Sequence, residues 1–545
     1  MSKRARVGAA ACAAVLSAAA LAATTGAASA GAASAGAGAV PGRGGPSGLI
    51  PGNLLVSESY YSNDPGIVAG QTQLPPGCTT GNCVTATASG SYPQVFNNAL
   101  VDGSFGVTSR IFLAEMTPWG RPLGTIEVPA DELVTSFSSK SELALNLSPD
   151  GRTVSFMGYA TKPGTVDVSN SNTPGVIDPT NPVPGAYYRA VAQLTDHGRF
   201  EFTETNAYSG NNGRAAITAE AGGKELIYTA GNAGNGSSPQ PPGVILGAGA
   251  QLITPSGQPE SAQNPGLPTP VGSFNITELG DKADKIGKDD NFRGLTIYHN
   301  VLYYTKGSGG NGVNTVYFLD TTGQACPDGV GLPAAGAQLP TAALSYDPST
   351  LQTTGLPSNM CILKGFNTTL AKTSTTSFPF GLWFANADTL YVADEGNGTN
   401  TYAGGQYTAA TAQTTAGLQK WVFDGSQWKL AYTLAAGLDL GQPYTVRSYP
   451  TGDNTATGLP WAPATDGLRN LTGQLNRNGT VTIWAITSTV SGSGDQGADP
   501  NKLVEITDPV KAGAPAAGES FRTVRAAGFG QVLRGVSFTP GTAGR

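Results

Sequence analysis

Four arginines occupy the same place in four repeated stretches of the chain: Arg214, Arg293, Arg469 and Arg534. Each opens a short apolar strand, and Arg293, Arg469 and Arg534 have an apolar residue before them and Gly or Asn after. A guanidinium is a planar fork of donors that is always charged, so several at one depth around an axis would grip a carboxylate, sulfate or phosphate through paired hydrogen bonds. The corresponding places in two further stretches hold Leu143 and Phe380, which would leave one side of such a ring apolar. Trp383, with Trp461 and Tyr303, offers flat surfaces against which a sugar could lie. The expected ligand-binding set is therefore Arg214, Arg293, Arg469, Arg534 and Trp383. The competing expectation is structural, with each arginine paired to a neighbouring carboxylate or carbonyl; Asp289, Asp290 and Asp466 stand close in sequence. A ligand role predicts that Arg293→Ala combined with Arg469→Ala spares the melting temperature.

Acid–base chemistry has fewer candidates. Asp289, Asp290, Asp394, Glu395 and Asp466 lie at expected strand ends or loops, where paired carboxylates could hydrolyse a bond or hold a hard cation. There is no Asp-x-Asp-x-Asp-Gly calcium loop, and solvated loop acids are the plainer reading. The two histidines, His197 and His299, fall in expected turns. A site of several imidazoles is thus excluded by counting, and no metal or cofactor is expected. No Gly-x-Ser-x-Gly motif occurs, and the Gly-rich stretches are not followed by the helices a phosphate loop needs.

The elements that must position these residues repeat along the chain. From about Ser47 onward, short apolar strands alternate with clusters of Gly, Asn, Asp and Pro. One unit runs from Leu143 to Phe156 through the turn Ser148-Pro149-Asp150-Gly151, where the fixed φ of proline and the freedom of glycine specify a hairpin. Further hairpins are expected from Arg214 to Thr229, Phe292 to Tyr304, Pro379 to Val392 and Leu468 to Ala485. Outer strands follow in most units, as at Thr315–Leu319 and Leu418–Phe423. The C-terminal Leu533–Pro540 reads as a first strand with nothing after it, while Leu54–Ser57 and Arg110–Ala114 read as later strands with no first strand. Joining them completes one more unit and closes a ring, which removes exposed strand edges. The expected fold is an all-β propeller of six blades; a seventh would have to lie within 237–290 or 323–375.

The Ser148-Pro149-Asp150-Gly151 hairpin and the strand Leu390-Tyr391-Val392-Ala393-Asp394 resemble blades of secreted bacterial propellers of the broad NHL/YVTN-like kind. The resemblance implies a fold, not a chemistry: that group includes binders, lyases and lactonase-like hydrolases, and no catalytic residue carries over from it.

Composition sets the outer limits. Charged residues are 12% of the 545, the net charge is −6, and Gly (75) and Pro (38) are abundant. That charged share is about half the usual one, and no basic cluster suited to a phosphate backbone is present, so nucleic acid is not an expected partner. Met1-Ser2-Lys3-Arg4-Ala5-Arg6, an Ala-rich stretch from Val7 to Ala23 and the small-residue site Ala28-Ser29-Ala30 form a secretory leader. Residues 1–30 are expected to be removed with Cys12, 31–50 to be a flexible linker, and 51–545 to be the propeller. No later stretch is long and apolar enough to span a bilayer. The protein is expected outside the cell, as a monomer. Four cysteines then remain, as suits an oxidising compartment, and local pairing as Cys78–Cys83 and Cys326–Cys361 is the simplest of three connectivities.

These readings converge on a secreted propeller that binds an anionic or carbohydrate ligand at the mouth of its central channel. The alternative is an extracellular hydrolase or lyase using carboxylates at the same face.

Overall fold

A computed structural model of the chain describes residues 48–60, 108–136, 142–165, 171–177, 185–232, 249–255, 289–307, 310–344, 359–373, 377–454, 457–492 and 499–543, with short pieces at 71, 73–74, 84–85, 270–272, 277–278, 281–282 and 497. Apart from 48–50, the expected leader and linker lie outside the described residues, as do Cys78 and Cys83.

The Ser-Pro-Asp-Gly turn shows how local chemistry builds the repeat. Ser148 Oγ accepts from the amides of Arg152 (3.1 Å) and Thr153 (3.0 Å), and the Gly151 amide donates to Ser148 O (2.8 Å). Gly151 takes the left-handed φ of +75° that closes such a turn without steric cost. Asn146–Leu147 and Thr153–Tyr159 leave this turn as paired strands.

Six sheets of this kind form the blades. Blade 1 is composite: Gln531–Phe538 is innermost, followed by Leu54–Tyr60, Thr108–Met116 and Pro122–Glu127. Blades 2 to 6 follow in chain order. Their innermost strands are Asn146–Leu147, Gly213–Ala221, Leu295–Tyr298, Pro379–Asn386 and Ala464–Leu475. Within the described residues, the stretches that could have hidden a seventh blade instead supply outer strands of blades 3 and 4, at Ala250–Ile253, Pro270–Gly272, Val330–Gly331 and Met360–Leu363. Closure is antiparallel, with Leu54 opposite Phe538 and Tyr60 opposite Gln531.

Blades are held by their faces. Side chains alternate across a strand, so a strand between two neighbours must be apolar on both sides. Thr389–Asp394 is buried throughout; its Leu390 and Val392 pack with blade 4 residues such as Leu302 and Tyr317, while Tyr391 and Ala393 pack with blade 6 residues such as Ile483 and Val504. In the same way Leu55 joins Phe156 of blade 2, and Val56 joins Trp484 of blade 6. The outer edge strand Pro122–Glu127 is exposed along most of its length.

The disulfide Cys326–Cys361 ties the outer strand Met360–Leu363 of blade 4 to the loop after Thr315–Leu319. Among the described residues, no helix is long and apolar enough to cross a membrane.

Candidate ligand site at the channel mouth

The inner strands meet one another at the level of the repeated arginines. Gly535 lies against the carbonyl of Leu143, Ala144 bridges Ala215, and Arg214 Nη1 donates to Phe292 O at 2.9 Å. Gly294 lies against the carbonyl of Phe380, Gly381 against that of Arg469, and the Val536 amide donates to Asn470 Oδ1 at 2.7 Å. These six contacts run once around the axis, through blades 1, 2, 3, 4, 5, 6 and back to 1. Asn470 Nδ2 also reaches the Leu145 carbonyl of blade 2 at 3.5 Å. A single asparagine side chain thus links blades 6 and 2 across the inner strand of blade 1.

Each arginine sits where its strand breaks register. The ladder skips Arg214 between Gly213 and Ala215, and Arg534 between Gly535 and Leu533. It skips Arg469 and Asn470 between Leu468 and Leu471, and Phe380 and Gly381 between Pro379 and Leu382. Arg293 and Gly294 both face Thr305 through backbone hydrogen bonds, and Leu143 takes a left-handed φ of +62°. A bulge re-aims the side chain it carries. The repeated arginine position is therefore a repeated irregularity, one that brings neighbouring strands together and turns the guanidinium out of the blade's own packing.

All four arginines are buried to the same degree, at 4–5% exposure. Glu395, at the end of the second strand of blade 5, lies between two of them: its carboxylate is 3.9 Å from Arg293 Nε of blade 4 and 3.2 Å from Arg469 Nε of blade 6. Arg214 donates to Asn291 Oδ1 and Phe292 O, and Arg534 Nε donates to Ser59 Oγ at 3.2 Å. Burial lowers the pKa of Arg214, and the Arg293 charge lowers it further, against the opposing pull of Tyr159, Glu395 and Glu142. Burial likewise lowers that of Arg293, with Glu395 holding it up and Arg469 pressing it down. Arg293 thus feels the charge of Arg469 and is itself felt by Arg214.

The backbone of Glu395 is held on both sides. Its amide donates to Phe378 O (3.0 Å), and its carbonyl accepts from Ser488 Oγ. The acids on either side serve as anchors. Asp394 accepts from the Phe378 and Gly396 amides, Ser377 Oγ and Gln419 Nε2 at 2.8–3.1 Å. Asp466 accepts from the Gly398 amide and Gln413 Nε2, both at 2.7 Å. Burial raises the Asp394 carboxyl to about 7 against those donors. Asp290 accepts from the Gly249 amide at 2.9 Å and is also raised by burial; Asp289 is buried beside it.

A second buried group borders the mouth on blade 2. Glu142 accepts from Tyr159 Oη, Thr135 Oγ1 (2.9 Å) and the Ser136 amide (3.2 Å). Arg189 stacks over the Tyr159 ring at 5.4 Å and donates to the carbonyls of Ser171, Tyr187 and Asn211. Sequence reading did not single these out, because nothing in one chain marks Glu142 as facing Tyr159.

The expected aromatic platform lies elsewhere. Trp383 packs between blades 5 and 6, against Gly473 and 6.2 Å from the Tyr391 ring. Tyr303 is buried 4.7 Å from Phe384, and Trp461 is buried 6.4 Å from Tyr449. His299 and Asn300 are the two left-handed residues of a tight turn (φ +48° and +60°), and His197 is exposed on a hairpin.

No protein-family model and no curated protein matches the chain, so the NHL/YVTN likeness rests on the propeller architecture alone. Among solved structures, the chain is similar to an ulvan lyase of a polysaccharide lyase family, PL25, bound to a GlcA(1-4)Rha3S fragment. The identity is 11% and the TM-score 0.30, covering 78% of this chain and 90% of that one. A structure of NanB with optactamide is similar at 10% identity and TM-score 0.17, covering 91% and 79%.

Proposed function

We propose that this protein is a secreted binding propeller that takes a single anionic group, such as the carboxylate of an acidic sugar, at the arginine mouth of its channel. One observation carries the reading. Four guanidiniums are raised at irregularities in equivalent positions of the inner strands and are buried alike, with one carboxylate, Glu395, between two of them. Clustered buried cations favour an anion that spreads its charge over several forked donors. The 4–5% exposure of each arginine suits one small group projecting from a larger ligand rather than a threaded polymer. Three of the acids near the arginines are engaged as hydrogen-bond acceptors, Asp394 and Asp466 in anchoring the 395–398 loop and Glu142 in holding Tyr159. That favours binding over turnover.

The test is calorimetric titration of the folded protein with glucuronate and, as a neutral control, methyl glucoside. Glucuronate should bind, weaken with added salt and lose about tenfold or more in affinity in Arg214→Gln, a change of about 1.4 kcal/mol. Equal binding of both sugars, or of glucuronate by wild type and variant, would sink the reading.

A further inference from the structure

We infer that Glu395 sets the charge of the ligand: as an internal counter-ion between Arg293 and Arg469, it tunes the mouth to singly charged anions and against doubly charged ones. This rests on the reading of the mouth as an anion site. The carboxylate lies 3.9 Å from one guanidinium and 3.2 Å from the next, where an incoming oxyanion would also have to bind. Its side chain is buried beside both of them, at 5% exposure, which leaves it little room to swing away. Its backbone is bonded at both ends to Phe378 and Ser488, and Asp394 and Asp466 brace the turn that follows it. Gly396 in that turn has φ +82° and abuts the Asp466 side chain, so a larger residue there would shift the loop. A flexible glutamate would yield to any ligand, whereas a braced one repels ligands in proportion to their charge.

That proportionality gives the inference its signature. At separations of about 6 Å in a partly buried setting, one fixed charge changes the affinity of a monovalent ion by roughly 10- to 100-fold. The interaction is linear in ligand charge, so the logarithm of the effect doubles for a divalent ion. Glu142, the other carboxylate acting on Arg214, stays constant across the comparison.

The experiment titrates the wild-type full chain and Glu395→Gln with methanesulfonate and sulfate, two tetrahedral oxyanions that differ in charge, with Arg214→Gln as the control for the mouth. If methanesulfonate gains about tenfold in Glu395→Gln, sulfate should gain about 100-fold. Wild type alone gives a second reading that does not depend on how the variant folds: sulfate should bind no more than about tenfold tighter than methanesulfonate despite its doubled charge. Equal gains for the two ions, no gain in a folded variant, or a strong wild-type preference for sulfate would each overturn the role given to Glu395. If neither ion binds any of the proteins, the anion site itself fails; if both bind and Arg214→Gln weakens them, sulfate more than methanesulfonate, the site stands and the Glu395→Gln comparison alone decides the Glu395 role.

Discussion

Lys420 has no access to water, and neither does Asp508, whose carboxylate lies 2.9 Å from its ammonium. Lys420 also donates to Tyr432 Oη (2.9 Å) and to the carbonyls of Pro509 and Ala512, while Tyr391 and Tyr432 both donate to Asp508. Burying two ions is costly unless every donor and acceptor is met, and removing one partner strands the other. Lys420→Met should lower the free energy of unfolding by about 3–5 kcal/mol in urea titration. A loss under 1 kcal/mol would mean that the surrounding tyrosines, not the charge, fix this spot. The same reasoning revises the expectation for Arg293→Ala with Arg469→Ala. Both cations that neutralise Glu395 would go, so the melting temperature should fall markedly even if no ligand ever binds there. The arginines were legible in the sequence because each repeats in its own strand. Their counter-ion was not: Glu395 comes from another blade, 74 residues before Arg469, and nothing local separates it from Asp394, which points into hydrogen bonds of its own.

The bulged inner strand is the element on which the site depends. Its glycines allow backbone to touch backbone; a Cβ on Gly294 would collide with the Phe380 carbonyl. Gly294→Ala should therefore cost about 1–3 kcal/mol, as overpacking does, and should also weaken anion binding by displacing Arg293. A stable variant with unaltered binding would show that the inner strands separate without penalty. Hairpins and blade order could be read from sequence because turn residues and apolar alternation are local signals. Bulges could not, since they are set by how two strands register against each other. The first strand of blade 2 shows the limit: its apolar run begins at Leu143, yet the ladder starts only at Asn146, since Leu143 turns left-handed to meet blade 1. In blade 4, the Cys326–Cys361 bridge closes a loop with a separation of 35 residues, for which chain-entropy estimates give about 3–4 kcal/mol. Reduction under native conditions should lower the melting temperature while leaving anion binding at the distant mouth intact.

Across the whole molecule, buried acids govern the response to pH. Burial raises Asp394 to about 7, Asp499 to about 6, and Asp290 as well. A carboxyl whose pKa is higher folded than unfolded binds more protons in the native state, so its contribution falls as pH rises from about 4 through the folded value and is level above it. Asp320 and Asp424 are shifted the other way and act below about pH 4. Urea midpoints should therefore be higher at pH 5 than at pH 8; the reverse order would show that the donors around Asp394 outweigh its burial.

Ring closure also imposes an order on synthesis. Arg534 bonds to Ser59 across 475 residues of chain, and Gln531–Phe538 supplies the strand against which Leu54–Tyr60 zips. A ribosome delivers Ser59 well before Arg534, with 475 positions between them. The first blade must therefore wait, with one edge open, until the other five have been made, and loop closure on that scale is slow. Until then the nascent chain is exposed to partners that could add a strand to that edge, so a holdase that covers Leu54–Tyr60 would protect this protein at its most vulnerable moment.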